Sequence, residues 1–262
     1  MKVFDTGKVK LHYREDGDPD GAPLVFANSL GTDFRLWDAV LPLLPAGLRI
    51  IRYDKRGHGL SDCPEAPYTM GALVSDVEKL LDGIEVRESV FVGLSIGGLI
   101  AQGLATKRTD LIRAMVLSNT AAKIGTRKIW DERIAMIRAG GMASIGDATL
   151  ERWFSRDFRA RPELALWRNM LTATRPEGYI GCAEAIAGTD FYTPTGSLRL
   201  PCLGIAGSED GSTPPDLVRE TVDLIPGSKF EIMRRTGHLP CVEDPETYAG
   251  HLTTFLKGVG HV

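Results

Sequence analysis

The chain has 262 residues, which suits one large domain, or a core with an insertion, around a sizeable apolar interior. Hydrophobic residues make up 43% and charged residues 25%, an ordinary soluble composition, and a net charge of −3 gives no support for nucleic-acid binding. No apolar run approaches the roughly 18 residues of a membrane-spanning helix, and the start MKVFDTGKVKLHY lacks the apolar core of a signal peptide.

Strand and helix signals alternate through the first 120 residues. KVKLHYRE (8–15) alternates like a strand at the edge of a sheet. PLVFAN (23–28) and LRIIRYD (48–54) are short, apolar and rich in β-formers, as buried strands are. TMGALVSDVEKLLDGI (69–84) places Met70, Leu73, Val74, Val77, Leu80, Leu81 and Ile84 on one helical stripe. SVFV (89–92) is a further buried strand, a helix is predicted from Ile96 to about Lys107, and AMVLSN (114–119) is again a strand. This order predicts an α/β fold, a mostly parallel sheet with helices on both faces.

From Ala121 to Ser197 the texture changes. Strand signals nearly vanish, and TRKIWDERIAMIRAG, TLERWFSRDF, PELALWRNMLTAT and PEGYIGCAEAIAG read as helices broken by Gly and Pro. LPCLGIAG (200–207) then resumes the sheet, PPDLVRETVDLI (214–225) is helical, KFEIMRR (229–235) is a strand and DPETYAGHLTTFL (244–256) is a closing helix. The division is thus a core of 1–120 and 198–262, with a helical insertion at 121–197 too long for a simple connection and placed to roof a pocket. Cys63, Cys182, Cys202 and Cys241 are scattered without C-x-x-C spacing, which predicts reduced thiols in a cytoplasmic protein.

GLSIGG (93–98) joins the strand to the helix and fits the G-x-S-x-G turn that presents a nucleophilic serine, here Ser95. A serine hydroxyl needs a base, and the base needs an acid to orient it. Of five histidines, His12, His251 and His261 lie in an edge strand, a helix and the tail. His58 (DKRGHGLSD) and His238 (RRTGHLP) each occupy a loop after a strand, where open α/β sheets place their sites. His238 is favoured because the last-strand loop can reach back to the turn; the simpler reading of His58 is a residue that holds its own loop by backbone hydrogen bonds. In AGSEDGSTPP (206–215), Asp210 or Glu209 could serve as the acid, with Asp210 preferred, although an acidic turn capping the next helix would look similar. An oxyanion hole needs two backbone N–H groups; Ile96, after the serine, and Leu30, in ANSLGTDFRLW (27–37), are the natural donors. No phosphate loop, dinucleotide loop or metal-ligand spacing is present, so no cofactor and no metal is expected.

With this turn, NSLGTD, DKRGHGLSD, AGSEDGSTPP and TGHLPCVEDPE, the chain resembles α/β-hydrolase fold enzymes over its full length. Within them it is similar to the 3-oxoadipate enol-lactonases of aromatic catabolism, through NSLGTDFRLWD, GLSIGGLIAQGLA, SNTAAKIGTRKIWDERI and MLTATRPEGYIGCAEAI, the last two in the insertion. The resemblance implies a triad of Ser95, Asp210 and His238, an oxyanion hole of Leu30 and Ile96, and a helical cap. It departs from the family pattern at Ile96, where methionine often stands, and at Glu209, where adjacent aspartates are common. Asn28-Ser29 stands where many relatives outside the lactonase group have His-Gly, which favours that group. The expected partner is a small lactone with a carboxylate arm, with no nucleic acid and no membrane, and self-association as a homo-oligomer stays open. The carboxylate calls for a cation in the cap. Lys123, Arg127, Arg133 and Arg138 are candidates, with Arg133 and Trp130 on one helix face, the Trp130 indole as a donor or wall, and Trp37 as a further wall or, equally, a core residue. A carboxylesterase, a carbon–carbon bond hydrolase or a non-catalytic binder on the same fold are the rival readings.

Overall fold

The alternating apolar segments assemble into one eight-stranded sheet in the computed structural model, which describes residues 1–262. The strands are β1 (Lys2–Asp5), β2 (Lys10–Gly17), β3 (Ala22–Ala27), β4 (Leu48–Tyr53), β5 (Ser89–Leu94), β6 (Ile112–Ser118), β7 (Cys202–Gly207) and β8 (Lys229–Met233). Across the sheet they run β1-β2-β4-β3-β5-β6-β7-β8. β2 is antiparallel to both β1 and β4, and every other neighbouring pair is parallel. All six residues of β5 and all six of β7 are buried, as strands covered on both faces require.

Helices cover the faces. α1 (Met70–Gly83) starts at Thr69, whose side chain accepts the Ala72 N–H, and buries Leu73, Val77, Leu80 and Leu81. α2 (Ile96–Lys107) follows β5 directly and is buried along nearly its whole length. Between β6 and β7 the chain forms no strand. It forms α3 (Arg127–Gly140), α4 (Gly146–Trp153), α5 (Arg156–Arg159), α6 (Leu164–Ala173), α7 (Pro176–Ala187) and α8 (Tyr192–Gly196). Trp130, Ile134, Trp153, Phe158 and Leu171 of this segment belong to the same contiguous apolar cluster as the sheet, so the segment packs on the core and does not stand apart. α9 (Pro215–Asp223), α10 (Pro240–Glu243) and α11 (Pro245–Gly258) complete the chain.

Two local readings differ from the sequence expectation. The strand expected at the sheet edge from 8–15 is β2, the second in the sheet, because the short and largely exposed β1 pairs outside it. The last strand stops at Met233, because the chain turns at Arg235 with φ 59°.

One packing contact sets the position of the site. β3 pairs with β5 in the register Ala27↔Gly93, so the loops after these two strands leave the sheet side by side. α2 begins hard against β3: a Cβ on Gly97 would lie 2.2 Å from the Ala27 carbonyl oxygen. One on Gly93 would lie 2.3 Å from the Gly97 oxygen. Both obstacles are backbone and cannot rotate away. Gly97→Ala is therefore expected to destabilise by about 1–3 kcal/mol or more. Gly250→Ala, on the exposed face of α11 with nothing near its Cβ, is expected to stabilise by about 0.5–1 kcal/mol. Urea midpoints of the two variants beside wild type check both signs.

Candidate active site

Ser95 sits where β5 turns into α2. Its backbone is at φ 58°, ψ −117°, a region that disfavours any side chain and costs about 1–3 kcal/mol. The turn is fixed by two bonds: the Ser95 N–H donates to Ser118 O at 3.0 Å, and Thr120 Oγ1 donates to Ser95 O at 2.6 Å. Ser95 is 7% exposed. Its hydroxyl makes no hydrogen bond to protein, and it is not among the enclosed orphan atoms, which are His12 Nε2, Tyr53 OH and Tyr248 OH.

His238 and Asp210 meet after β8 and β7. His238 Nδ1 lies 2.8 Å from Asp210 Oδ2, with both side chains buried. Asp210 also accepts from Asn119 Nδ2 at 2.9 Å, Thr213 Oγ1 at 2.8 Å, Ser212 N at 2.7 Å and Thr213 N at 3.0 Å. Burial alone would raise the carboxyl; the His238 charge and these hydrogen bonds outweigh it and hold Asp210 below the usual carboxylate range. An ionised Asp210 on Nδ1 keeps the proton there and leaves Nε2 as the acceptor. Nε2 faces Ser29 Oγ at 3.5 Å, the outer limit of a hydrogen bond.

The alternatives for base and acid are occupied elsewhere. His58 Nε2 accepts the Gly31 N–H at 2.9 Å, and burial pushes this imidazole well below its ordinary value, so it is a neutral loop anchor. Glu209 is exposed and accepts the Arg156 N–H at 3.0 Å. The Leu30 and Ile96 N–H groups, on the two loops that the β3–β5 pairing brings together, have no protein acceptor. Both residues are buried.

The expected pocket residues divide. Trp37 takes the core alternative and is not a pocket wall. It is 0% exposed, its indole N–H donates to Asn28 Oδ1 at 2.8 Å, and its ring packs on Phe26 and Tyr248 in the core. Trp130 does not offer a free donor either, because its N–H is bound to Ile124 O at 2.7 Å. Its ring instead carries the Arg133 guanidinium, 4.9 Å from the centroid. Arg133 is half-buried and its Nη1 lies 3.5 Å from Tyr179 OH. Lys123 pairs with Asp190, and Arg127 with Asp131 and Glu184, so their charges are met; Arg138 is exposed at the end of α3.

Four residues have no role in the sequence reading. Asn119 and Thr213 hold the Asp210 carboxylate, and Ser29 faces the imidazole. Arg152 is half-buried beside Gly211 of the acid loop and has no carboxylate within ion-pair distance; burial first, then the Arg133 charge, push its guanidinium down. Tyr179 and Trp153 pack on Gly31, next to Leu30, so the Arg133–Tyr179 pair borders the 28–32 loop. A surface cleft of about 610 Å³, lined in part by Thr32, Phe34, Asp54 and Thr174, includes none of Ser95, Asp210 and His238.

Comparison with known proteins agrees with this architecture. Residues 24–251 match the alpha/beta hydrolase family. 3-Oxoadipate enol-lactonase 2 of Acinetobacter baylyi is 33% identical over 251 residues, 95% of this chain and 94% of that protein. The crystal structure of the enol-lactonase from Burkholderia xenovorans LB400 matches with a TM-score of 0.94 at 34% identity, over 98% of this chain and 100% of that one. A hydrolase from Pseudomonas aeruginosa matches with a TM-score of 0.93 at 37% identity, over 97% of each chain. With a mostly parallel sheet in this strand order and a family match across most of its length, the chain belongs to the alpha/beta hydrolase family.

Proposed function

We propose that this hydrolase is a serine carboxylic ester hydrolase that opens a small carboxylate-bearing lactone of the 3-oxoadipate enol-lactone type. Ser95 Oγ attacks the ring carbonyl while His238 Nε2 takes its proton. Asp210 holds the imidazole and stabilises its charge. The Leu30 and Ile96 N–H groups receive the oxyanion of the tetrahedral intermediate. Collapse breaks the ring C–O bond, and His238 returns the proton to the leaving enol, which stays tethered through the acyl chain and becomes a ketone. Water, deprotonated by His238, then attacks the acyl-enzyme and frees Ser95. The enol is a better leaving group than an ordinary alcohol, so the second half of acylation is undemanding.

The observation that carries the substrate class is the pair Arg133 and Arg152. Two neighbouring half-buried guanidinium groups without a carboxylate partner repel each other, and a carboxylate between them would relieve both. The kinship with enol-lactonases supports the same class.

Ring opening of 3-oxoadipate enol-lactone, followed beside a neutral ester, tests this reading. Ser95→Ala and Asp210→Asn are each expected to lower kcat by about 10⁴-fold or more, by loss of the nucleophile and of the correct imidazole tautomer. Retention of activity in Ser95→Ala would remove the serine mechanism. Arg133→Met and Arg152→Met are expected to lower kcat/KM for the anionic lactone by about 10–100-fold, the worth of a charge-assisted hydrogen bond, and to leave the neutral ester within about threefold. Equal losses on both substrates, or turnover of the neutral ester alone, would overturn the anionic-lactone assignment and leave an unspecialised esterase.

A further inference from the structure

Lys55 is 3% exposed and has no carboxylate within ion-pair distance, an unfavourable place for an ammonium group. Its hydrogen bond runs to the carbonyl oxygen of Ser29, at 2.7 Å. That carbonyl and the Leu30 N–H belong to one planar trans peptide, whose C=O and N–H point in opposite directions. An ammonium fixed at the oxygen end therefore turns the N–H end away from Lys55, and this N–H has no acceptor in the protein. The next peptide is held as well: the Gly31 N–H donates to His58 Nε2 at 2.9 Å, and Thr174 Oγ1 donates to Gly31 O at 3.4 Å.

We propose that Lys55 is a positioning residue of the oxyanion hole, a buried cation that orients and polarises the Ser29–Leu30 peptide so that its N–H meets the negative charge of the tetrahedral intermediate. This rests on the reading of Leu30 as an oxyanion donor. Orientation alone does not require a lysine, because Thr32 Oγ1 and the Thr32 N–H also reach Ser29 O, at 3.0 Å and 3.4 Å. The charge is what Lys55 adds. A charge-assisted bond is roughly twice as strong as a neutral one, and polarising one end of an amide strengthens donation from the other. The gain is largest when the oxygen facing Leu30 carries a full charge, so it appears in kcat and not in KM.

The surroundings give this a pH signature. Burial pulls the Lys55 ammonium down to about 8, against the opposing effects of the Cys182 thiol on α7, Asp54 and Asp33; neutral His58 and the Asp76-paired Arg56 are its remaining titratable neighbours. The proton is present below about pH 8 and lost above it, so polarisation is available at neutral pH and fades in mild alkali.

The test uses p-nitrophenyl acetate, a neutral ester that does not depend on the arginine pair. Lys55→Met and Lys55→Gln are compared with wild type and Ser95→Ala from pH 6 to about pH 9.5, a range spanning the lysine transition. Lys55→Met is expected to lower kcat about tenfold at neutral pH, less than the roughly 10²–10³-fold cost of deleting a donor, with KM within about twofold. The fall in wild-type kcat above about pH 8 is expected to disappear in Lys55→Met. Lys55→Gln, a neutral donor, is expected to fall between the two at neutral pH. A kcat within twofold of wild type in Lys55→Met, or the same alkaline fall in both proteins, would overturn the proposal. Should Lys55→Met not fold, Lys55→Gln and the wild-type profile decide, and a wild-type kcat that stays flat through the alkaline range overturns it. If wild type shows no turnover that Ser95→Ala abolishes, the hydrolase reading fails first and takes the oxyanion hole with it.

Discussion

The start of α2 lies so close to the end of β3 that no side-chain atom fits between Gly97 and the Ala27 carbonyl. Most of the site follows from this approach. It brings Ser95 and the 28–32 loop to one point at the carboxyl edge of the sheet. It also forces the β5–α2 connection to reverse at once, which is why Ser95 adopts a positive φ. The strain is local and the restraint is not. Ser118 and Thr120, at and just beyond the end of β6, hold the Ser95 backbone on both sides. The parallel register of three strands, β3, β5 and β6, thus determines where one hydroxyl points.

Two sets of buried or half-buried charges differ in how they are met. Arg52 is met by Asp16 and Asp38, and Arg56 by Asp76 through two bonds of 2.6 Å. These are neutralised ions that tie β4 and its loop to neighbouring elements. The second group lies by the 28–32 loop and the loop after β7 and is not neutralised in that way. Lys55 has a carbonyl in place of a carboxylate, and Arg133 and Arg152 have an aromatic face or a hydroxyl. Asp210 shares its charge with a histidine and four neutral donors. Fold stability alone gives no reason to leave cations unpaired in a desolvated place, whereas chemistry that develops or binds negative charge gives one.

The legible part of the sequence was the part set by local pattern. Strands β3, β4, β5 and β7 announce themselves as apolar runs between turn residues, and α1 by its stripe. GLSIGG announces a constrained turn because its glycines mark places where backbone meets backbone. Illegible were the residues whose importance arises only when distant segments meet. Asn119 lies 91 positions from the Asp210 it contacts, and nothing near either residue marks the pairing. Trp37 shows the converse. Its position after the oxyanion loop pointed toward the pocket, but the 3-10 turn Phe34–Trp37 rotates the indole into the core, where Asn28 satisfies it. Arg152 looked like any helical arginine because its neighbours Arg133 and Gly211 come from other parts of the chain.

The end of α4 has two tasks at once, and this constrains how the cap can vary. The carbonyls of Arg152 and Trp153 accept the backbone N–H groups of Gly211 and His238, at 3.1 Å and 2.7 Å. Two residues on, Ser155 shares the buried Glu243 carboxylate with the Gly237 N–H. The loops that carry Asp210 and His238 are therefore strung from the same turn of backbone that carries Arg152. A change of backbone there moves Asp210 and His238 together with Arg152. α3 is different: Arg133 reaches the oxyanion loop only through side chains, by way of Tyr179 and Gly31. A change in α3 can alter the ligand's surroundings without displacing His238. Under the function proposed above, the α3 face is where substrate preference can change freely, while the α4 end ties preference to catalysis.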